Sequence, residues 1–549
     1  MLEVVTNDNI QLSFDDLKNK LSELVAKKDY LNPNSEIFNI LFGSTELNKA
    51  QLKAYCLEII KNKSELTNFK SIYKAAETEH KQAQQVLNKN YSFINDNGGV
   101  NEGLFTEYCK QQFTYKIVKS TGLDNEILYM YDSQKGYYKA ISKNEMKGKI
   151  FELLPENLRS SYIAEAVYKN LLSSTDDNVI VSFDDFNTDE NIINLRNGIY
   201  NIISGELEPH TPKILSSLQL NCNYDVNAKC PVFIKYIEDL QTKADESIDY
   251  DGIKAIQEYI GICISNQFVA NRLKKSLWLY SIAGDTGKTK LIDVISALLG
   301  ENNVAVMDIQ KLSNNNFASY QLYGKRAMVK GDQSAADIED SSVFKSLTGG
   351  DKIFAEKKGK QGFDFRFRGG IIIGCNGLPY FKDDKGNHLF NRLVIIPCTN
   401  VITDDKKDTD LPNKLRNELD GIFLWAMEGL KRLKANNWTI TQSKYMIDVL
   451  REYRGDCDTV FAFIDENFDI TKDFSNDRIK VADFYTQYSL WCDNNNRQRV
   501  DKKNISKRME GIGIIKGKYC GNICFRGIKP KAFIDDGYME EKDSESIFN

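Results

Sequence analysis

Apolar strands alternating with amphipathic helices predict an α/β fold for the middle of this 549-residue chain. Three stretches carry that prediction. Ser276-Leu-Trp-Leu-Tyr-Ser-Ile-Ala-Gly-Asp-Thr-Gly-Lys-Thr289 is an apolar strand that runs into a Gly-Lys-Thr turn, and Lys290-Leu-Ile-Asp-Val-Ile-Ser-Ala-Leu-Leu299 continues it as an amphipathic helix. Gly324-Lys-Arg-Ala-Met-Val-Lys-Gly-Asp332 is a short strand ending in an acid. Gly370-Ile-Ile-Ile-Gly-Cys-Asn376 is a buried strand ending in an amide.

The first stretch has the strand–loop–helix context of a phosphate-binding P-loop. Gly284, Asp285, Thr286, Gly287, Lys288 and Thr289 would form the cradle. Backbone N–H groups near Gly287 and Lys288 would face the β- and γ-phosphates of ATP, Lys288 would neutralise their charge, and the Thr289 hydroxyl would ligate Mg2+. A bare Gly-Lys-Thr is a common tripeptide, so the flanking strand and helix distinguish this one. The usual first glycine of G-x-x-x-x-G-K-[ST] falls on Ile282.

The segments beyond the loop narrow the reading. Asp332 closes its strand where a second Mg2+ ligand would sit, holding the ion through water. Leu347-Thr-Gly-Gly-Asp351, Lys357-Lys-Gly-Lys360 and the alternating Phe363-x-Phe365-x-Phe367 predict a β-hairpin with a basic tip at Lys357, Lys358 and Lys360. An ordinary surface hairpin with solvated lysines has the same pattern. Asn376 is placed to orient an attacking water or sense a γ-phosphate. Arg392, in Asn391-Arg-Leu-Val-Ile-Ile-Pro397, starts a further strand, from which it could reach a neighbouring subunit's γ-phosphate.

The flanks are of other kinds. Residues 1–100 are rich in Lys and Glu with helical periodicity, clearest in Gln51–Ile60 and the polar run to about Lys89, and predict a helical arm. Asn95-Asp-Asn-Gly-Gly99 breaks it. Residues 101–255 mix short strands (Ile127–Tyr131, Asn178–Ser182) with helices, an α+β pattern. The core spans 256–455. In 456–531, Arg478–Cys492 predicts a helix, Lys502–Glu510 a second, and Ile514–Tyr519 with Asn522–Ile528 two strands around a Gly-containing turn: the order of a winged helix. Arg497 to Lys531 holds eleven Lys/Arg against Asp501 and Glu510, inside a chain of net charge −5. Lys502, Lys503, Lys507 and Arg508 on the second helix, with Lys516, Lys518 and Arg526 on the wing, are candidate phosphate contacts, while docking on another protein is the other use of such a module. Residues 532–549 form an acidic tail.

Composition excludes several classes. No apolar run approaches the roughly 20 residues of a membrane span, and the N-terminus lacks a signal-peptide layout, which leads us to expect no membrane and a cytoplasmic protein. The 11 cysteines lack metal-ligand spacing, and three histidines (His80, His210, His388) are too few for a multi-His metal site.

The ordered set Gly284–Thr289, Asp332, Leu347–Asp351 with Lys357, Lys358 and Lys360, Asn376 and Arg392 resembles the superfamily-three helicases of viruses, phages and plasmids, a branch of AAA+. It is most similar to the phage, plasmid and poxvirus primase-helicase group. Asn197–Pro212 with Asn223–Pro231 resembles the domain preceding the helicase in that group, which makes His210 structural. Gly421–Gly429 and Asp456–Phe463 resemble the group's helices after the core. The short arm is similar to the Rep-type self-loading replication initiators of staphylococcal pathogenicity islands. The resemblance implies a homo-hexameric, ATP-driven DNA helicase with 3′→5′ polarity. Its partners would be single-stranded DNA, origin DNA and host replication proteins, in a host bacterial cytoplasm. Three positions depart from the pattern: Ile282, Gln333 where an acidic pair would supply a general base, and Asn391 where the arginine is usually paired. A DNA-binding initiator or scaffold with decayed turnover is the rival they leave open. A small-molecule kinase or GTPase accounts for neither the basic module nor the position of Thr242-Lys-Ala-Asp245 ahead of the P-loop.

Overall fold

The computed structural model describes residues 14–32, 35–42, 46–90, 92–95, 97–119, 126–314, 316–356, 362–382 and 386–531. Lys357, Lys358, Lys360 and the acidic stretch 532–549 lie outside the described residues. The class is mixed α/β, with two compact units. The first runs to Val181 apart from residues 119–125 and 132–138, which belong with the second.

The first unit opens with helices, among them Glu46–Ile59 and Lys63–Asn90, as the periodicity predicts. Tyr30, Phe38, Phe69 and Tyr73 form their aromatic centre. A second core of Phe93, Phe105, Ile117, Ile150 and Val167 lies under a small sheet, in which Tyr115–Val118 pairs antiparallel with Ile127–Asp132 and parallel with Ile180–Val181.

The second unit is organised by a five-stranded, all-parallel sheet: β1 (Ser276–Tyr280), β2 (Val304–Val306), β3 (Ala327–Gln333), β4 (Gly370–Cys375) and β5 (Leu393–Pro397). The order across the sheet is β5-β1-β4-β3-β2. Strand residues alternate between two cores. Leu277, Leu279, Val329, Ile372 and Ile396 face one, and Trp278, Met328, Ile371, Ile373 and Ile395 face the other. Burial on both faces is why these strands read as continuous apolar runs.

Helices α1 (Pro231–Leu240), α2 (Tyr250–Ile264), α3 (Lys288–Leu299) and α4 (Leu419–Ala435) contribute to the first of these cores. α2 and α4 approach closely because glycine stands at both crossing points. A Cβ on Gly261 would lie 2.5 Å from the Ala426 carbonyl oxygen, and one on Gly429 would lie 2.3 Å from that of Gln257. The other core takes the hairpin Lys352–Ala355 with Phe363–Arg366, whose inward Phe363 and Phe365 meet Tyr323 edge-on.

The C-terminal part has its own core of Phe463, Phe484, Tyr488, Met509 and Phe525. It carries helices α5 (Thr459–Asn467), α6 (Val481–Asn494) and α7 (Lys502–Gly511). A three-stranded antiparallel sheet places Asn522–Arg526 between Arg478–Lys480 and Ile515–Tyr519. Arg478–Lys480, expected as the first turn of a helix, is therefore a strand. Alternating Arg478, Ile479, Lys480 lets Ile479 enter the core while the charged neighbours stay out.

Candidate phosphate-binding site

The loop after β1 turns twice through left-handed backbone, at Asp285 (φ 55°) and Gly287 (φ 91°), before α3 begins at Lys288. Gly287 belongs there because an L side chain rarely adopts that φ. Ile282, where a glycine is usual, is 84% exposed and has no positive φ, so neither space nor backbone conformation demands glycine.

The loop is held from outside its own segment. Tyr236 of α1, 5% exposed, donates its hydroxyl to the Gly287 carbonyl at 2.7 Å. The same carbonyl accepts the Lys290 N–H at 2.9 Å. Ile402 N–H donates to the Asp285 carbonyl at 2.9 Å, and Lys407 pairs with the Asp285 carboxylate at 3.2 Å. Sequence reading missed Tyr236 and Lys407, which lie far from the loop in the chain.

Lys288 is buried, with Nζ 3.0 Å from the Thr286 hydroxyl. Burial lowers the pKa of its ammonium, and the neighbouring Cys398, Cys375 and Asp332 oppose that effect. A buried ammonium whose hydrogen-bonded partner is a neutral hydroxyl suits an incoming phosphate.

The Thr289 hydroxyl lies 3.4 Å from the Gly331 carbonyl, which brings α3 against the end of β3. There the ladder with β4 shifts: Lys330 faces Ile373 but Gln333 faces Cys375, so one extra residue is accommodated at Gly331–Asp332. This bulge leaves Asp332 exposed at the strand end. Gln333 is buried and bonded elsewhere, accepting the Ile309 N–H at 3.1 Å and donating to Gln310. Asn376 is exposed immediately after β4, the strand between β1 and β3.

Lys288, Thr289, Asp332 and Asn376 thus gather at the carboxyl edge of the sheet. The donor set fits Mg2+ as that ion is usually held beside nucleotides: one hydroxyl, one carboxylate and the substrate's own phosphates. Among the described residues no group of three His, Cys, Asp or Glu could hold a metal without such help.

Arg392 does not join them. Its carbonyl accepts the Ser276 N–H at 2.7 Å at the start of β1, and five residues of strand separate that edge from the loop. At roughly 3.3 Å per residue the two ends of β1 are about 13 Å apart. Among the described residues the Arg392 Nε has no hydrogen-bond partner.

The basic C-terminal candidates divide. Lys502, Lys503 and Lys507 are exposed on α7, opposite buried Ile505 and Met509, and Lys518 is exposed on its strand. Lys516, also exposed, places Nζ 3.2 Å from the Ser506 hydroxyl. Arg508 instead pairs with buried Asp458, and Arg526 donates to the Phe474 carbonyl at 2.6 Å. These two hold the module together. His210 accordingly binds the Leu195 carbonyl at 2.8 Å, a structural role. No helix among the described residues is long and apolar enough to cross a membrane.

Residues 104–242 match the family model described as D5 N terminal like, and 279–392 match a family of unknown function, DUF5906. The chain is 24% identical over 460 residues to "Putative helicase L207/L206" of Acanthamoeba polyphaga mimivirus, covering 77% of this chain and 47% of that protein. It is 21% identical over 408 residues to "Putative helicase 184R" of Invertebrate iridescent virus 6, covering 66% of this chain and 41% of that protein. The chain therefore spans less than half the length of these relatives. Among solved structures, the C-terminal region of NrS-1 aligns with TM-score 0.42 at 12% identity over 78% of this chain and 99% of that one. JCV helicase aligns with TM-score 0.21 at 11% identity over 82% and 99%. At these scores neither likeness carries an argument.

Proposed function

We propose that this chain is an ATP-driven DNA helicase of the superfamily-three branch of AAA+, acting in replication of a virus, phage or mobile element. The observation that carries the reading is the division of its polar residues between the two edges of one parallel sheet. The phosphate loop, Asp332 and Asn376 stand at the carboxyl edge, and Arg392 at the amino edge. A site assembled between neighbouring copies would use both: Lys288, Thr289 and Asp332 from one, and Arg392 as a finger from the next. ATP with Mg2+ is the expected ligand pair, and a closed ring of six the expected assembly. The names of the viral relatives support the helicase reading.

In this reading the hairpin places Lys357, Lys358 and Lys360 on single-stranded DNA in the pore, with 3′→5′ translocation. The C-terminal helices and sheet act as a winged helix on origin DNA, with Lys502, Lys503, Lys507, Lys516 and Lys518 on phosphates. A Rep-type self-loading initiator working with host replication proteins in a bacterial cytoplasm is the most specific form of the proposal.

The test is ATP hydrolysis with and without single-stranded DNA, in wild type, Lys288→Ala, Arg392→Ala and a mixture of the two variants. DNA-stimulated turnover, lost in each variant and partly restored on mixing, is expected. Absence of wild-type turnover at every DNA concentration would sink the helicase reading and leave the DNA-binding scaffold.

A further inference from the structure

A second cleft opens where β3 and β4 begin, at the sheet edge opposite the phosphate loop. Arg326 immediately precedes β3, and Arg368 stands two residues before β4. The cavity holds about 60 Å³, several times what one water needs and enough for a small oxyanion. Phe183, Leu322 and Phe367 give it an apolar wall.

Its charge is one-sided. Lys325, Arg326, Arg366 and Arg368 line the cleft against a single carboxylate, the exposed Asp184. Arg326 is the telling residue, at 6% exposure. Its terminal nitrogens donate to neutral acceptors, the Ser265 carbonyl and the Asn266 side-chain oxygen, the latter at 2.8 Å. Among the described residues its Nε–H has no acceptor. Arg368 reaches the same rim, with Nη2 3.5 Å from the Asn266 carbonyl and its guanidinium over the Phe268 ring.

Proteins seldom bury a guanidinium without a counter-charge, because neutral acceptors do not replace the hydration a full charge gives up. Among the described residues no carboxylate lies within ion-pair distance of Arg326. A planar fork with one donor still open, beside a second arginine and screened from water by aromatic rings, is the geometry that recognises phosphate.

We propose that this cleft is a second anion site, separate from the phosphate loop, that binds a phosphate group through Arg326 and Arg368. The phosphate is that of a free nucleotide or of a nucleic-acid backbone, which present the same chemistry. The inference stands apart from the helicase reading, because it uses no residue of the phosphate loop.

The experiment uses the full chain carrying Lys288→Ala, which silences the phosphate loop. Inorganic phosphate is titrated at constant ionic strength while the unfolding midpoint and the phosphorus NMR line width are followed. A saturable midpoint rise of about 2–5 °C is expected, together with line broadening. Arg326→Gln and Arg368→Gln, each added to that background, should abolish both signals. Arg368 is only partly buried, so its variant tests the site even where Arg326→Gln fails to fold. Phosphate effects that persist unchanged in Arg368→Gln, or that never saturate, would overturn the proposal. Competition then assigns the source: displacement by a nucleoside monophosphate marks a free ligand, and displacement only by an oligonucleotide marks a nucleic-acid backbone.

Discussion

The hydroxyl of Tyr236 offers the sharpest test of how the proposed phosphate loop is held. Tyr236→Phe removes one hydrogen bond, the 2.7 Å donation to the Gly287 carbonyl, and leaves the ring in place. That carbonyl keeps its bond from Lys290 and is not orphaned, so the full cost of an unsatisfied buried acceptor does not apply. The loss should be that of one ordinary buried hydrogen bond, about 1 kcal/mol. If the bond holds the loop in its binding geometry, the same amount is lost from nucleotide affinity, a factor of about 5 in Kd. Tyr236→Ala removes the packed ring as well and should cost about 3–5 kcal/mol of stability. Lys407→Ala breaks only exposed ion pairs, with Asp285 and Asp404, and should leave affinity unchanged. Calorimetric titration of a nonhydrolysable ATP analogue against the three variants decides the matter. Wild-type affinity in Tyr236→Phe would refute the reasoning, because the hydroxyl would then have no part in shaping the loop.

Contacts elsewhere in the chain give further expected outcomes. Arg508→Ala strips the ion-pair partner from buried Asp458, which caps α5 through the Val460 and Phe461 N–H groups. The C-terminal module should lose about 3 kcal/mol, seen in thermal unfolding, whereas Lys503→Ala and Lys507→Ala should leave stability alone and each lower the salt dependence of DNA binding by about one unit of slope. Alkylation of the native protein near pH 8 should modify Cys520 alone, since it is the one exposed cysteine of the eleven. Burial pushes Cys56, Cys109, Cys375 and Cys398 up to about 12. Glu165 is held down to about 2 by Lys143 and Lys147. A carboxyl lowered on folding stabilises above its unfolded pKa and loses that contribution as pH falls through the folded value. Acid unfolding of the wild type between about pH 4.5 and 2 should therefore be flattened in Glu165→Gln.

What could be read in the sequence was local. The strand–loop–helix around Gly287 lies within two dozen consecutive residues, and the alternating Phe363 and Phe365 form one strand, so periodicity exposes both. Asp332 and Asn376 were legible because each ends an apolar run. The rest depends on contacts far apart in the chain. Nothing near Gly287 announces Tyr236, and nothing near Arg508 announces Asp458, fifty residues earlier. Arg508 has the same sequence signature as the solvated lysines around it, and only tertiary packing separates a structural cation from a free one. The Arg326 cleft was invisible for the same reason, since its walls come from five separate segments. Arg478–Lys480 misled because three residues cannot distinguish a strand from the first turn of the helix they precede.

The extra residue at Gly331–Asp332 also bears on how this strand can change over evolutionary time. Side chains alternate faces along a strand, so deleting Gly331 would erase the bulge, leave Gln333 opposite Cys375 and pull Asp332 into regular register opposite Gly374, away from its exposed place at the strand end. Substitutions at this edge preserve the spacing, while single-residue deletions do not. The position of the Asp332 carboxylate is therefore protected by the counting of the ladder. Lineages of this chain should vary freely in the letters around Asp332 but scarcely in their number.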